Sequence, residues 1–113
     1  MLIRRFRDVT AQDRRQIHLL LARRTTFPST IPPGEILLEE YLKPLGLGQL
    51  VAAKRLGISL NRLNEIVLGK RSITADTALR LARLLKTSPQ LWMRLQADWH
   101  LHEALQREAR RAS

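Results

Sequence analysis

Four small or apolar residues, set at the spacing of a tight helical corner, constrain the fold more than any other feature of the chain. They are Ala53, Gly57, Leu63 and Ile66. A small side chain lets a second helix cross close by, and glycine can adopt the positive φ of a sharp turn. The apolar pair, three residues apart, places the second helix against a core. We therefore predict a helix-turn-helix made of two short helices, over residues 49–56 and 59–68.

Apolar residues at helical spacing also precede and follow this corner. Leu38, Tyr41, Leu42 and Leu45 form one stripe, and the helix that carries it should kink or end near Pro44, because proline cannot donate a backbone hydrogen bond. Two later helices are predicted to bury one stripe each. The stripes are Ala75, Ala78, Leu79, Ala82 and Leu85, and then Leu91, Trp92, Leu95 and Trp99. The predicted fold is all-α with five helices, because no segment alternates as a strand does.

Residues typical of helix ends mark the same boundaries. Ser59, Thr74 and Ser88 are N-cap candidates, because their hydroxyl oxygens can accept from the first N–H groups of a helix. Gly69 is predicted to end the helix-turn-helix. Asp76, in the first turn of the fourth helix, is expected to pair with Arg80 four residues later.

Charge limits the classes of partner. The 113 residues include 20 Lys and Arg against 10 Asp and Glu, a formal net charge of +10. Such an excess favours nucleic acid, an anionic membrane surface or an acidic protein. The chain has no cysteine, which excludes a disulfide framework and Cys-ligated metals and fits a reducing cytoplasm. No apolar run reaches the ~18–20 residues of a membrane span, and the N-terminus lacks the pattern of a secretory signal.

The outward face of the second motif helix carries side chains suited to base edges. With the apolar pair buried, a step of about 100° per residue places Asn61 and Glu65 outward and Arg62 and Asn64 on the flanks. The two asparagines can offer the donor–acceptor pair that adenine requires, and Arg62 the fork that suits guanine or a phosphate. Glu65 repels phosphate, so it is expected either to accept from cytosine or to orient Arg62 or Asn61.

Both ends of the motif are candidates for phosphate contacts. Gly48 and Gln49 begin the first motif helix, whose backbone N–H groups can donate to a phosphate. Lys70 and Arg71 follow the second helix and are expected to contact the DNA backbone on the other side. The pattern as a whole predicts DNA binding.

Residues 1–30 differ in composition from the rest. Seven Lys or Arg against two Asp occupy residues 1–24, and prolines follow at 28, 32 and 33. We interpret residues 1–30 as a basic N-terminal arm, partly helical or disordered, attached to a helix-turn-helix domain over residues 31–113. The arm has several open roles: a protein-binding segment, a DNA-contacting tail, an upstream stretch of uncertain start, or a solvated extension.

Several runs of residues resemble a known family. They are Pro-Gly-Glu-Ile-Leu-Leu-Glu-Glu-Tyr-Leu at 33–42, Asn-Glu-Ile-Val at 64–67, Gly-Lys-Arg at 69–71, Ile-Thr-Ala-Asp-Thr-Ala-Leu-Arg-Leu-Ala at 73–82, Thr-Ser-Pro at 87–89 and Leu-Trp at 91–92. Together they resemble the HigA/VapI branch of the lambda-repressor-like (XRE) helix-turn-helix proteins, over about residues 31–102.

The resemblance implies an antitoxin of a type II toxin–antitoxin pair on a five-helix lambda-repressor-like domain. Such proteins bind a HigB-type toxin, an endoribonuclease that cuts mRNA on the ribosome, and repress their own operon as dimers. The family's DNA-reading segment carries over to Ser59, Leu60, Asn61, Arg62, Asn64 and Glu65, with Lys70 and Arg71 as contacts to the DNA backbone. Two features depart from the family. About thirty residues precede the Pro-Gly-Glu run, and the variable segment after Leu60 means that the operator sequence is not inherited.

Self-association is predicted on the fifth helix. Met93, Ala97, His100 and Ala104 form a second stripe there, and a symmetric dimer requires one patch that meets itself. Catalysis, a metal site and a cofactor are not expected. His100 and His102 diverge on a helix, and no HExxH motif, phosphate loop or nucleophilic triad is present.

Three other functions stay open from the sequence. A stand-alone transcriptional regulator would share every DNA-binding feature. A module that neutralises a toxin without binding DNA would form the protein complex but not shift an operator. An RNA-binding protein would require exposed aromatic residues for base stacking, and Tyr41, Trp92 and Trp99 lie on apolar stripes.

Overall fold

The computed structural model describes Phe27 and residues 30–112, and all regular secondary structure in that part is helical. Helix α1 continues directly into a π-helical segment, and four further helices follow. Their bounds are Pro33–Ile36 for α1, Leu37–Leu42 for the π-helical segment, Gln49–Leu56 for α2, Leu60–Val67 for α3, Ala75–Leu85 for α4 and Pro89–Ala112 for α5. The predicted all-α, five-helix fold is confirmed. The predicted arm lies outside the described residues except for Phe27 and Thr30.

A proline begins the first helical unit and another follows its end. Pro33 occupies the first position of α1, where its missing N–H costs nothing. In the π-helical segment the N–H of Lys43 donates to the carbonyl oxygen of Leu38, five residues back, at 2.9 Å. This turn is wider than that of an α-helix. Ile36 and Leu37, outside the predicted stripe, are buried in this unit, whereas Leu38 and Leu45 of the stripe are half-buried. The helical unit ends before the next proline, as predicted.

The core is built around two aromatic rings. Tyr41 and Trp92 are fully buried, with ring centroids 5.2 Å apart at 60°. Phe27, which the sequence analysis assigns to the arm, packs against Tyr41 at 6.4 Å. The indole N–H of Trp92 donates to the hydroxyl of Thr87 at 2.7 Å, which satisfies its polar atom. Aliphatic residues from all five helices and the loop after α3 complete the core: Ile36, Leu37, Leu42, Ala52, Ala53, Leu56, Leu63, Ile66, Ile73, Ala78, Leu81, Leu85, Leu91 and Leu95.

Helix α4 is rotated relative to the prediction. Its buried residues are Thr77, Ala78, Leu81 and Leu85. The predicted stripe includes Ala75 and Leu79, but both are exposed, Leu79 to 49%. The prediction followed apolar side chains alone, whereas the inward row contains a threonine whose hydroxyl is hydrogen-bonded within the fold.

The helix ends agree with the sequence prediction. The hydroxyls of Ser59, Thr74 and Ser88 each accept from the backbone N–H three residues ahead, at 3.0, 3.5 and 3.1 Å. Gly69 follows the end of α3 with φ 78°. Capping therefore fixes where α3, α4 and α5 begin, and this sets the positions of the polar residues on their first turns.

Candidate nucleic-acid interface

Helices α2 and α3 meet at the predicted corner. Gly57 has φ 75°, and its N–H donates to the carbonyl oxygen of Ala53 at 2.9 Å. Ala53 itself is 2% exposed, which lets α3 cross close to α2. Leu63 and Ile66 are buried against the core. The predicted helix-turn-helix geometry is therefore present.

The outer face of α3 presents polar and apolar side chains side by side. Asn61 and Asn64 are exposed, and Leu60 at the first position of the helix is 45% exposed. Leu68, just beyond the last turn, is 58% exposed. The N-terminal part of α3 therefore offers amide groups and an apolar side chain together, the two kinds of contact used in the major groove.

Two predicted DNA-contacting residues from different helices are hydrogen-bonded to each other. The amide Nδ2 of Asn64 on α3 donates to Oε1 of Gln49, the first residue of α2, at 3.2 Å. This bond leaves the second amide N–H and the carbonyl oxygen of Asn64, and the amide nitrogen of Gln49, for a further partner. The start of α2 and the middle of α3 thus form one continuous polar surface.

Arg62 lies differently from the prediction. Its Nη2 donates to Oδ2 of Asp76 at 3.1 Å and to the hydroxyl of Thr77. The guanidinium is therefore held against the first turn of α4 rather than extended from the flank of α3. The side chain of Arg62 is 28% exposed.

The same carboxylate connects α4 to the end of α2. Oδ2 of Asp76 accepts from Nε of Arg80 at 3.0 Å, which confirms the predicted pair. Nη1 of Arg80 then donates to the carbonyl oxygens of Leu56 at 2.8 Å and Gly57 at 3.3 Å, groups at a helix end that lack intrahelical partners. Hydrogen bonds from Arg62, and then from Arg80, lower the pKa of Asp76. We call Arg62, Asp76, Thr77 and Arg80 the Asp76 cluster.

Glu65 forms an ion pair with Arg71 that was not predicted. Its Oε1 accepts from Arg71 Nε at 2.9 Å and lies 2.8 Å from Arg71 Nη2. The expectation that Glu65 orients Arg62 or Asn61 is therefore wrong, because the chain turns at Gly69 and brings Arg71 back beside α3. Lys70 is exposed on the same loop. Of the two predicted backbone contacts, Lys70 is exposed and Arg71 is already in an ion pair.

Comparisons with known proteins agree with this geometry. The family model described as "Helix-turn-helix" matches residues 38–92. Virulence-associated protein I of Dichelobacter nodosus is 53% identical over 76 residues, which cover 67% of this chain and 70% of that protein. The chain belongs to the HigA/VapI branch of the XRE helix-turn-helix family.

Two solved structures support the same assignment. The Pseudomonas aeruginosa antitoxin HigA, solved with the higBA promoter, matches this HigA/VapI-type chain with a TM-score of 0.69 at 37% identity and covers 74% of this chain and 91% of that one. An addiction module antidote protein of the HigA family from Coxiella burnetii gives 0.67 at 43% identity, covering 73% and 89%. The resemblance inferred from the sequence is confirmed.

The residues predicted for self-association lie along one side of α5 of this HigA/VapI-type protein. Met93 is 40% exposed, Ala97 and His100 are exposed and Ala104 is half-buried. His100 Nε2 lies 3.2 Å from the hydroxyl of Ser72, in the loop after α3. The stripe is therefore available over most of its length, and its role in a dimer stays a prediction.

The second half of α5 carries apolar side chains that the sequence analysis missed. Leu101 and Leu105 are each 60% exposed, and none of the residues of α5 after Gln96 is buried. Their spacing of four places them on one face. The spacing of the two leucines can be seen in the sequence, but the charged and alanine-rich residues around them obscure the apolar pattern.

The described residues do not contain a group of three or more His, Cys, Asp or Glu able to hold a metal ion. Over the same part of the chain, no helix is long and apolar enough to cross a membrane.

Proposed function

We propose that this protein is an antitoxin that binds its own operator through α3 and represses transcription by covering the promoter. The observation that carries the proposal is the outer face of α3, where Asn61 and Asn64 are exposed on a helix whose opposite face is fixed in the core. A rigidly seated helix with amide side chains at its exposed end is suited to entry into the major groove.

Sequence reading is assigned to the first two turns of α3. Asn61 and Asn64 can each pair with the donor and acceptor of an adenine edge. Leu60, exposed beside them, is suited to the methyl group of a thymine. Ser59 already accepts from the N–H of Arg62, so its contribution is to start the helix at the correct residue.

Affinity is assigned to phosphate contacts at the edges of the motif. The first N–H groups of α2, next to Gln49, point outward from a helix N-terminus, a favourable position for an anion. The exposed side chain of Lys70 is assigned to a phosphate contact on the opposite side of the motif. With a formal net charge of +10, these contacts should make binding fall steeply with salt.

The functional unit is proposed to be a homodimer that places two copies of α3 in half-sites about 34 Å apart. The stripe from Met93 to Ala104 and the exposed apolar residues Leu101 and Leu105 supply surface on α5 for self-association. Next to Met93, an apolar groove between α4 and α5 adds Leu79 to this surface.

Neutralisation of a HigB-type toxin is proposed from the relatives that carry the HigA name. It requires no catalytic group of this chain, and the protein is proposed to act as a non-enzymatic binding protein in the cytoplasm, where operator and toxin are found. A stand-alone regulator that has no toxin partner is the second candidate, since it would use the same face of α3.

Two measurements test the proposal. Gel shifts with the upstream promoter duplex and a scrambled duplex, at two salt concentrations, should show a shift at lower protein concentration on the promoter. Co-expression with the adjacent small basic reading frame should yield a complex that survives purification. A promoter shift without a complex favours the stand-alone regulator, and a complex without a promoter shift favours a toxin-binding module. If neither the promoter shift nor the complex is observed, both the antitoxin and the stand-alone regulator are refuted.

A further inference from the structure

We propose that Asp76 is a positioning residue for DNA recognition: it holds Arg62 against α4, so that Arg62 is not a DNA ligand and base reading is left to Asn61 and Asn64. The inference rests on the proposed function, because it names what controls specificity at the same surface.

Arg62 is held by two acceptors on α4. It is the third residue of α3, directly after Asn61, and a fully extended arginine there would reach the edge of the groove that α3 enters. Instead, one nitrogen, Nη2, donates to both Asp76 and Thr77 on the first turn of α4. The guanidinium is thus bound by two acceptors in the free protein.

Asp76 is itself fixed by a second arginine, Arg80. Oδ2 of Asp76 also accepts from Nε of Arg80, and Arg80 is anchored to the carbonyl oxygens at the end of α2. Release of Arg62 towards DNA would leave the carboxylate with Arg80 alone. The cluster therefore favours the held position of Arg62.

A free arginine at this position would bind DNA of any sequence. Phosphates repeat along every duplex, so an arginine at the rim of the groove adds affinity for any sequence. An Arg62 side chain that is held by Asp76 adds no such affinity. Asp76 would thereby keep the nonspecific affinity low while the asparagines supply the sequence preference.

The test compares three variants with the wild type on the promoter duplex and a scrambled duplex, over a series of salt concentrations. They are Asp76→Asn, Arg62→Gln and the double variant. Asp76→Asn should strengthen binding to the scrambled duplex by about fivefold and steepen the slope of log K against log salt by about 0.9, the value for one added phosphate contact. Arg62→Gln alone should change promoter binding by less than about twofold. The double variant should show neither the stronger binding to the scrambled duplex nor the steeper salt slope of Asp76→Asn.

Two controls separate a restrained arginine from a general charge effect. Glu39→Gln also removes a carboxylate and frees a cation, Lys43, from a 2.8 Å pair, and it should leave the salt slope unchanged. Asp76→Glu retains the charge and should restore the wild-type slope. Thermal unfolding of each variant checks folding, and Arg62→Gln tests the inference by itself if Asp76→Asn unfolds.

Three results would overturn the inference. One is a loss of tenfold or more in promoter affinity for Arg62→Gln with the scrambled duplex unaffected, because Arg62 would then read a base. Another is an unchanged salt slope for Asp76→Asn. The third is a gain that persists in full in the double variant. If the wild type does not distinguish the two duplexes at all, the proposed function itself fails, which is a different outcome.

Discussion

Gly34 and Ile66 are in contact through their backbones: a Cβ placed on Gly34 would lie 1.9 Å from the carbonyl oxygen of Ile66 and 2.9 Å from its carbonyl carbon. Ile66 is in α3, so α1 approaches the proposed DNA-reading helix more closely than any residue with a side chain would allow. The position of α3 therefore depends on a glycine in α1.

Replacement of Gly34 by alanine is expected to destabilise the fold. Alanine is the better helix former by about 1 kcal/mol, but its methyl group would displace α1 from α3, and overpacking of this kind costs about 1–3 kcal/mol. We expect a net loss in the free energy of unfolding and weaker promoter binding, measured by urea denaturation and gel shift. Gly48→Ala is the matched control, because a Cβ there meets nothing within 4 Å. Equal stability of the two variants would contradict the prediction.

The side chain of Gln96 connects α5 to the loop after α3. Its Oε1 accepts from the buried N–H of Ile73 at 2.7 Å, and Gln96 is 8% exposed. Gln96→Leu keeps the approximate volume but leaves that N–H without its acceptor, which should lower the free energy of unfolding by about 1–3 kcal/mol. Gln90→Leu, an exposed position on the same helix, should be close to neutral. The idea fails if thermal denaturation shows equal effects for the two substitutions.

The lowered pKa of Asp76 predicts a specific acid sensitivity. Its pKa in the folded protein lies below the ordinary value of an aspartate, because Arg62 and then Arg80 hydrogen-bond to the carboxylate. A group whose folded pKa is depressed stabilises the fold above its unfolded pKa, and this contribution is lost as the pH falls through the folded value. The urea midpoint of the wild type should therefore exceed that of Asp76→Asn at pH 7, and the difference should shrink from about pH 4 downward. A difference that stays constant to pH 3 would contradict the prediction.

Much of the fold could be predicted because its signals are local. The capping hydroxyls at Ser59, Thr74 and Ser88 act within three residues of themselves, and Gly57 takes a conformation that other residues avoid. The inward face of α4 could not be predicted in the same way. The hydroxyl of buried Thr77 is bound by Arg62 from fifteen residues earlier in the chain, and a hydropathy pattern does not contain that contact.

The same distinction between local signals and contacts between distant residues applies to the candidate site. The exposure of Asn61 and Asn64 follows from helical periodicity once Leu63 is buried. The partners of the charged residues depend on where the chain returns in space, so the sequence predicts Arg62 as a DNA contact but does not predict its ion pair with Asp76. The importance of Gly34 depends on the approach of a helix about thirty residues away, and the sequence shows it only as part of the Pro-Gly-Glu run.

Substitutions of base-reading and phosphate-binding residues should have different effects on the promoter duplex and on a scrambled duplex. Asn61→Ala is expected to weaken binding to the promoter duplex by about 1–3 kcal/mol, the usual value of a base contact, with little change on a scrambled duplex. Lys70→Ala should weaken binding to both duplexes alike and reduce the salt slope by about 0.9, because one phosphate contact is lost. Arg83→Ala removes the same charge from an exposed position on α4, two turns beyond Asp76, and should leave the slope unchanged. Fluorescence anisotropy titrations at several salt concentrations distinguish the two classes. If Asn61→Ala weakens both duplexes equally, α3 does not read bases at this position.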